Sequence, residues 1–277
     1  MKIEIMPNNK VLSIINMKGG VGKTTLSVNI SYTLAKKYSK KILLIDMDPQ
    51  MNSSQYCLEP DDISNILENP RKSVYGIFEP ELPSLTSNNT DRVIETEKFN
   101  VIENFDIISS HLSLMIASVN DSPLKLKNYI NSVQNDYDLI IIDAPPTISG
   151  YTKASLLAST HYIVPMRIDF LSLFGLPLLQ TYINDLTTEY ASHIDFAGII
   201  LTQKHTTHTK IYNSLKAKIN ENPTWSLKLF NNEMKYKTEI ANSITNEKSN
   251  RFILDLGGDV ANEIDNITIE VMRKIRL

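Results

Sequence analysis

Apolar residues along this chain gather in short, nearly unbroken runs: Val11-Leu12-Ser13-Ile14-Ile15, Lys41-Ile42-Leu43-Leu44-Ile45, Asp138-Leu139-Ile140-Ile141-Ile142, His161-Tyr162-Ile163-Val164 and Ala197-Gly198-Ile199-Ile200-Leu201. A strand with one wet face alternates apolar and polar residues, whereas a strand covered on both faces needs apolar side chains throughout. The runs therefore predict buried strands of a parallel sheet. Between them the period changes. From Thr24 to Lys37, Leu26, Ile30, Leu34 and Ala35 share one helical face, and Thr152 to Ser159 repeats small and apolar residues at helical spacing. Val260 to Leu277 places Ile264, Ile267, Val271, Met272 and Ile275 at helical intervals and reads as an amphipathic closing helix. Strand and helix alternate, so the expected class is α/β, a mostly parallel twisted sheet with helices on both faces.

Two stretches break this rhythm. Residues 59–106 carry eleven acidic and four basic side chains and are interrupted by Pro60, Pro70, Pro80 and Pro83. Residues 59–104 are accordingly expected to be an irregular acidic insertion with a flexible tip at Pro83 to Thr90. Residues 201–251 reverse the balance, with nine Lys or Arg against four Glu. The net charge of the chain is −3, so any nucleic-acid contact must come from such a local basic face. At 277 residues, with 42% hydrophobic and 21% charged, the chain reads as one globular domain spanning 1–277. Its lone Cys57 excludes an internal disulfide framework and reads as a buried small hydrophobe. Neither a leader peptide nor eighteen uninterrupted apolar residues is found, which points to a cytoplasmic protein.

Directly after the first predicted strand comes Lys18-Gly19-Gly20-Val21-Gly22-Lys23-Thr24-Thr25, and then a helix. Glycines there let backbone N–H groups converge on phosphate oxygens, and the helix N-terminus adds a favourable dipole. This is a phosphate-binding loop for a nucleoside triphosphate with Mg²⁺. Lys23 is assigned to the β- and γ-phosphates, the Thr24 hydroxyl to Mg²⁺ and Thr25 to the α-phosphate. Two other strands end in carboxylates: Leu44-Ile45-Asp46-Met47-Asp48-Pro49-Gln50, and Ile141-Ile142-Asp143-Ala144-Pro145-Pro146. Asp143 is expected to hold Mg²⁺ through water, since that ion keeps several waters and takes few protein ligands.

The strict pattern G-x-x-x-x-G-K-[ST] requires glycine at position 17, where this chain has Met17, and a lysine, Lys18, precedes the double glycine. That loop resembles the deviant phosphate loop of the ParA/MinD family of P-loop ATPases. Asp46-Met47-Asp48-Pro49-Gln50 is similar to the family's D-x-D-P-Q segment. The likeness continues through Ser149-Gly150, Ala154 to Ser159, Val164-Pro165 and Leu173-Phe174-Gly175-Leu176, covering about residues 11 to 58 and 105 to 202. The resemblance implies ATP as the nucleotide, hydrolysis coupled to an ATP-sandwiched homodimer, and Lys18 acting on the partner's phosphates. It further implies that Asp48 positions or activates the attacking water, and that Asp46 supports Mg²⁺ or the loop. Met51 stands where many relatives carry glycine, so a different local backbone is expected there.

Asn16-Met17-Lys18 and Asp48-Pro49-Gln50 look closer to the ParA branch, which segregates DNA, than to MinD. The ten residues before the first predicted strand are too few for the helix-turn-helix domain of some plasmid ParA proteins. For such a protein the resemblance implies DNA binding without sequence preference by the ATP dimer, a ParB-like centromere-binding partner that stimulates slow hydrolysis, and a nucleoid-associated location. The candidate DNA contacts are Lys204, Lys210, Lys216 and Lys218, then Lys235 and Lys237, because phosphate contacts need cations but no base geometry. His205 and His208 read as surface residues. A MinD-like membrane ATPase is the alternative. Its closing helix would insert in a bilayer; here that helix lacks Phe and Trp, is interrupted by Asp265 and Glu270, and is expected to pack in the core, with no membrane partner. An iron–sulfur carrier and a tyrosine kinase are further alternatives, disfavoured by the single Cys57 and by the absence of a C-terminal tyrosine cluster.

Overall fold

A computed structural model describes residues 10–79, 95–117, 122–167, 169–204, 209–243 and 250–277. In chain order its elements are β1 (Lys10–Ile14), α1 (Lys23–Tyr38), β2 (Ile42–Asp46), α2 (Asn52–Cys57), α3 (Pro60–Glu68), α4 (Tyr75–Phe78), β3 (Phe99–Ile102), β4 (Phe105–Ile108), α5 (Lys125–Val133), β5 (Leu139–Asp143), α6 (Gly150–Ala158), β6 (His161–Arg167), α7 (Phe170–Glu189), β7 (Asp195–Lys204), α8 (Thr209–Glu221), α9 (Pro223–Lys228), β8 (Met234–Lys235), α10 (Thr238–Ser243) and α11 (Gly258–Ile275). The strands form one eight-stranded sheet in the order β3-β4-β2-β5-β1-β6-β7-β8. Every pairing is parallel except β3 with β4.

The unbroken apolar runs have the predicted cause, since successive residues serve opposite cores. Leu12, Ile14, Leu44 and Ile141 pack against α1 and α11, while Val11, Leu43 and Ile140 pack against α4, α5 and α6. Towards the other edge, Val164, Ile199 and Leu201 meet α7 and α8. Burying one such side chain contributes about 1.5–3 kcal/mol, so both faces of the sheet are committed to packing. Helix α1 lies deeper than its single apolar stripe suggests: all residues from Leu26 to Ala35 are buried. Of its polar members, Ser27 and Ser31 donate to the carbonyls of Lys23 and Ser27 within the helix, Asn29 and Tyr32 bond to Tyr56 and Asp255 outside it, and the Thr33 hydroxyl is buried without a partner among the described residues. The apolar face of α11, with Val260, Ile264, Ile267, Val271 and Ile275, packs into the same core.

The acidic stretch departs from the expected irregular insertion. Its described part carries α3, α4 and the antiparallel edge strand β3. The prolines there start elements. Pro60 opens α3 with Asp61 and Asp62 in the first turn, and Pro70 opens a 3₁₀ turn capped by Asn69; both placements suit the donor-free nitrogen of proline, and the carboxylates suit the helix dipole. The segment Pro83 to Thr90 lies outside the described residues.

Candidate nucleotide-binding site

Strand order brings the three motifs together. β2, β5 and β1 are neighbours, and Asp143 is the register partner of both Asp46 and Ile14. The two carboxylates and the loop that follows β1 thus emerge side by side at the C-terminal ends of parallel strands, where open α/β sheets hold their ligands.

The loop's glycines have different duties. Gly22 caps α1 in the left-handed region at φ 84°, and a Cβ on it would meet Met234 Cε at 3.2 Å. Gly20 is also left-handed, at φ 70°, whereas Gly19 has open space where a Cβ would sit. Met17 has no left-handed φ and packs against the core, which is why this chain dispenses with glycine there. Met51 has a φ of 60° and is 4% exposed, so a buried methionine sits in a conformation glycine adopts freely. Behind the loop, Thr202 Oγ1 donates to the Val21 carbonyl at 2.8 Å and Gln203 Nε2 to the Gly20 carbonyl at 2.6 Å. The end of β7 therefore braces the loop.

Asp143, 1% exposed, is held by three hydroxyls: Thr24 at 2.8 Å, Ser53 at 2.7 Å and Ser27 at 3.1 Å. Burial pushes its pKa up, against the Ser53 and Thr24 hydrogen bonds and the charge of Lys23. Lys23, 7% exposed, has its pKa lowered by burial, with Asp143 and Asp48 opposing that shift. Its amine donates to the Lys18 carbonyl at 3.3 Å, folded over its own loop. The donor set fits Mg²⁺: hard oxygens from Thr24 and Asp143, and among the described residues no cage of three or more His, Cys, Asp or Glu. Asp46 is placed differently. Its Oδ1 accepts from the Asp48 N–H at 3.1 Å, and its Oδ2 from Ser54 N at 2.9 Å and Ser54 Oγ at 2.7 Å. Burial, then Asp143, raises its pKa. Of the two roles assigned to Asp46, the geometry favours holding the 48–54 segment over ligating the ion. Asp48 lies next to the loop, with Oδ1 accepting from Gln50 N at 3.0 Å. Its charge acts on Lys23.

Lys18 stands at the loop's mouth, its amine ion-paired with Asp169 at the start of α7. No motif points to Asp169, Ser53 or Gln203. Only the capping preference of Asp just before a helix flags Asp169 in the sequence.

The basic segment spreads out. Lys216 is ion-paired with Glu233, and Lys235 with Glu263 at 2.7 Å. Arg251 is drawn inward, donating to the carbonyls of Tyr56 and Leu58 and pairing with Glu59 at 3.6 Å. Lys218 is exposed and Lys237 half-buried. Lys204 and Lys210 belong to β7 and α8 by their backbone, but their side chains, like His205 and His208, lie outside the described part.

A protein-family profile described as an AAA domain matches residues 9–196. The sporulation initiation inhibitor protein Soj of Bacillus subtilis is 32% identical over 199 residues, 70% of this chain and 72% of that protein. A virulence plasmid ParA family protein of Chlamydia psittaci is 28% identical over 273 residues, 92% of this chain and 95% of that protein. In fold, the chain matches a plasmid partition protein of Borrelia burgdorferi solved with AMPPNP, with a TM-score of 0.71 at 24% identity, covering 96% of this chain and 99% of that one. Phosphate loop, paired carboxylate strands, family profile and relatives agree, and the chain belongs to the ParA/MinD-type family of P-loop ATPases.

Proposed function

We propose that this protein is an ATP-dependent DNA partition ATPase: an ATP-sandwiched homodimer that binds DNA without sequence preference and releases it on hydrolysis. A ParB-like centromere-binding partner stimulates that hydrolysis. The observation that carries the reading is Lys18 at the mouth of a phosphate loop that already contains its own phosphate lysine, Lys23. A second lysine outside the loop's interior suits a phosphate on another protomer, the logic of a finger residue supplied in trans.

The residues then divide the work. Loop amides from Gly19 to Gly22 and the Lys23 amine bind the β- and γ-phosphates of ATP. Thr24 and Asp143 would hold Mg²⁺, whose charge when bound neutralises those phosphates. Asp48 orients the attacking water, and Asp46 keeps Asp48 in place through the backbone N–H at 3.1 Å. Lys18 crosses to the partner, so a protomer alone has an incomplete site and hydrolysis waits for dimerisation. On the DNA side Lys218 and Lys237 are the foremost contacts, with Lys204 and Lys210. Lys216 and Lys235 must first give up Glu233 and Glu263.

The membrane-bound alternative depends on a free amphipathic closing helix, and the apolar side chains of α11 are buried against α1 and the sheet. No helix among the described residues is long and apolar enough to cross a membrane. Co-sedimentation with random-sequence DNA and with anionic liposomes, with ATP and with ADP, tests the proposal. ATP-dependent DNA binding that weakens steeply along a salt series supports it, as counterion release requires. Binding to liposomes but not DNA overturns it.

A further inference from the structure

Lys18 is tethered within its own protomer. Its N–H donates to Asn16 Oδ1 at 2.9 Å, and Asn16 Nδ2 donates to the Pro165 carbonyl at 2.7 Å, so the backbone leading into the loop is fixed to β6. Its amine is ion-paired with Asp169 Oδ2, just beyond β6. The Asp169 carboxylate divides its contacts by oxygen. Oδ1 accepts from Ser172 N and Ser172 Oγ, both at 2.9 Å, and so caps α7. Oδ2 receives cations: Lys18, and Arg167 Nε at 3.3 Å.

We infer that Asp169 is a positioning residue that parks Lys18 in cis in the free protomer, and so sets the protein concentration at which ATP assembles the dimer. The inference rests on the reading that Lys18 acts on the partner's phosphates. A lysine paired with its own Asp169 cannot at the same time reach across an interface, so assembly must exchange a carboxylate for a phosphate. Arg167 makes that exchange feasible. It already touches the same oxygen, and when Lys18 leaves, Asp169 keeps one cation and both of its capping bonds, with no orphaned charge. Asp169 is held in its charged form. Burial alone would raise its pKa, but the Lys18 amine and the Ser172 donors outweigh burial and hold it below the usual carboxylate value. With Lys18 32% and Asp169 25% exposed, the latch is solvated enough to open.

The variants Asp169→Asn and Arg167→Gln separate this role from a structural one, because they move the threshold in opposite directions. Asparagine caps a helix about as well as aspartate, so Asp169→Asn removes the charge and keeps α7 capped. Freeing a partly exposed ion pair is worth roughly two- to fivefold per protomer. Two protomers open together, so the dimer dissociation constant should fall by roughly 4- to 25-fold in Asp169→Asn. Arg167→Gln removes the substitute cation and should raise that constant.

The measurement is sedimentation velocity over a protein dilution series at saturating ATP with Mg²⁺, on the full chain, with thermal melts to check folding. Lys18→Ala runs alongside. If Lys18→Ala fails to assemble while Asp169→Asn assembles at or above the wild-type concentration, the latch is wrong and the trans lysine stands. If Lys18→Ala assembles like wild type, the trans reading itself fails. Should Asp169→Asn melt early, the sign of the Arg167→Gln shift decides, and an unchanged or lowered dissociation constant overturns the latch.

Discussion

At the C-terminal ends of β1, β2 and β5, Lys23, Thr24, Asp46, Asp48 and Asp143 converge: Thr24 bonds Asp143, the charges of Asp143 and Asp48 act on Lys23, and Asp46 accepts from the Asp48 N–H within its own segment. In the basic segment 201–251, side chains singled out by the same kind of reasoning go separate ways: Lys216 and Lys235 to acidic neighbours, Arg251 to the backbone of α2. The phosphate site is made of backbone torsions and strand ends, which short contiguous motifs specify. The basic face is made of long, flexible side chains whose effective charge depends on what stands opposite. A tally of charges along a chain counts cations that the fold has already neutralised.

The sharpest test of the first region is Asp48→Ala. On the role proposed for Asp48, its loss should slow ATP hydrolysis by about a hundred- to ten-thousandfold, while ATP affinity stays within about threefold and dimer accumulates. Single-turnover kinetics with a nucleotide-binding titration would read both, and an equal loss of binding and rate would show that Asp48 contacts the nucleotide in the ground state. Next in size is the contrast between glycines. Gly22→Ala puts a side chain at φ 84° and close to Met234, which should cost about 1–3 kcal/mol of stability. Gly19→Ala, with open space around it, should stay within about 0.5 kcal/mol in thermal unfolding. Smallest are the lysines. Lys218→Ala or Lys237→Ala should each lower the slope of log affinity for DNA against log salt by about 1, and Lys216→Ala or Lys235→Ala by clearly less. Four equal changes would show that the ion pairs with Glu233 and Glu263 open on DNA.

All five predicted strands are present, because a run of apolar residues long enough to face two cores has few other uses in a chain of this size. The phosphate loop was equally legible. The strands β3, β4 and β8 were not, being only two to four residues long, too short for periodicity to mark them, with β3 and β8 at the sheet's edges. The prolines of the acidic stretch read as breaks in the sequence, although proline at a first helical position begins a helix. Ser53, Gln203 and Asp169 lie 90, 183 and 151 residues from the groups they contact. Serine and glutamine in such positions carry no local pattern, and aspartate only that of a helix cap.

By itself the sequence determined the alternation of buried strands and helices, the loop that meets phosphate and the two strand ends that carry carboxylates, because each is local: a torsion glycine permits, a period, a residue at a strand's end. The tertiary structure alone decided that Lys216 and Lys235 are paired with Glu233 and Glu263, that Ser53 holds Asp143, and that Lys18 rests on Asp169. Those outcomes depend on which groups distant in sequence come within about 3 Å of one another, the reach of a hydrogen bond, and chain order alone does not fix that distance.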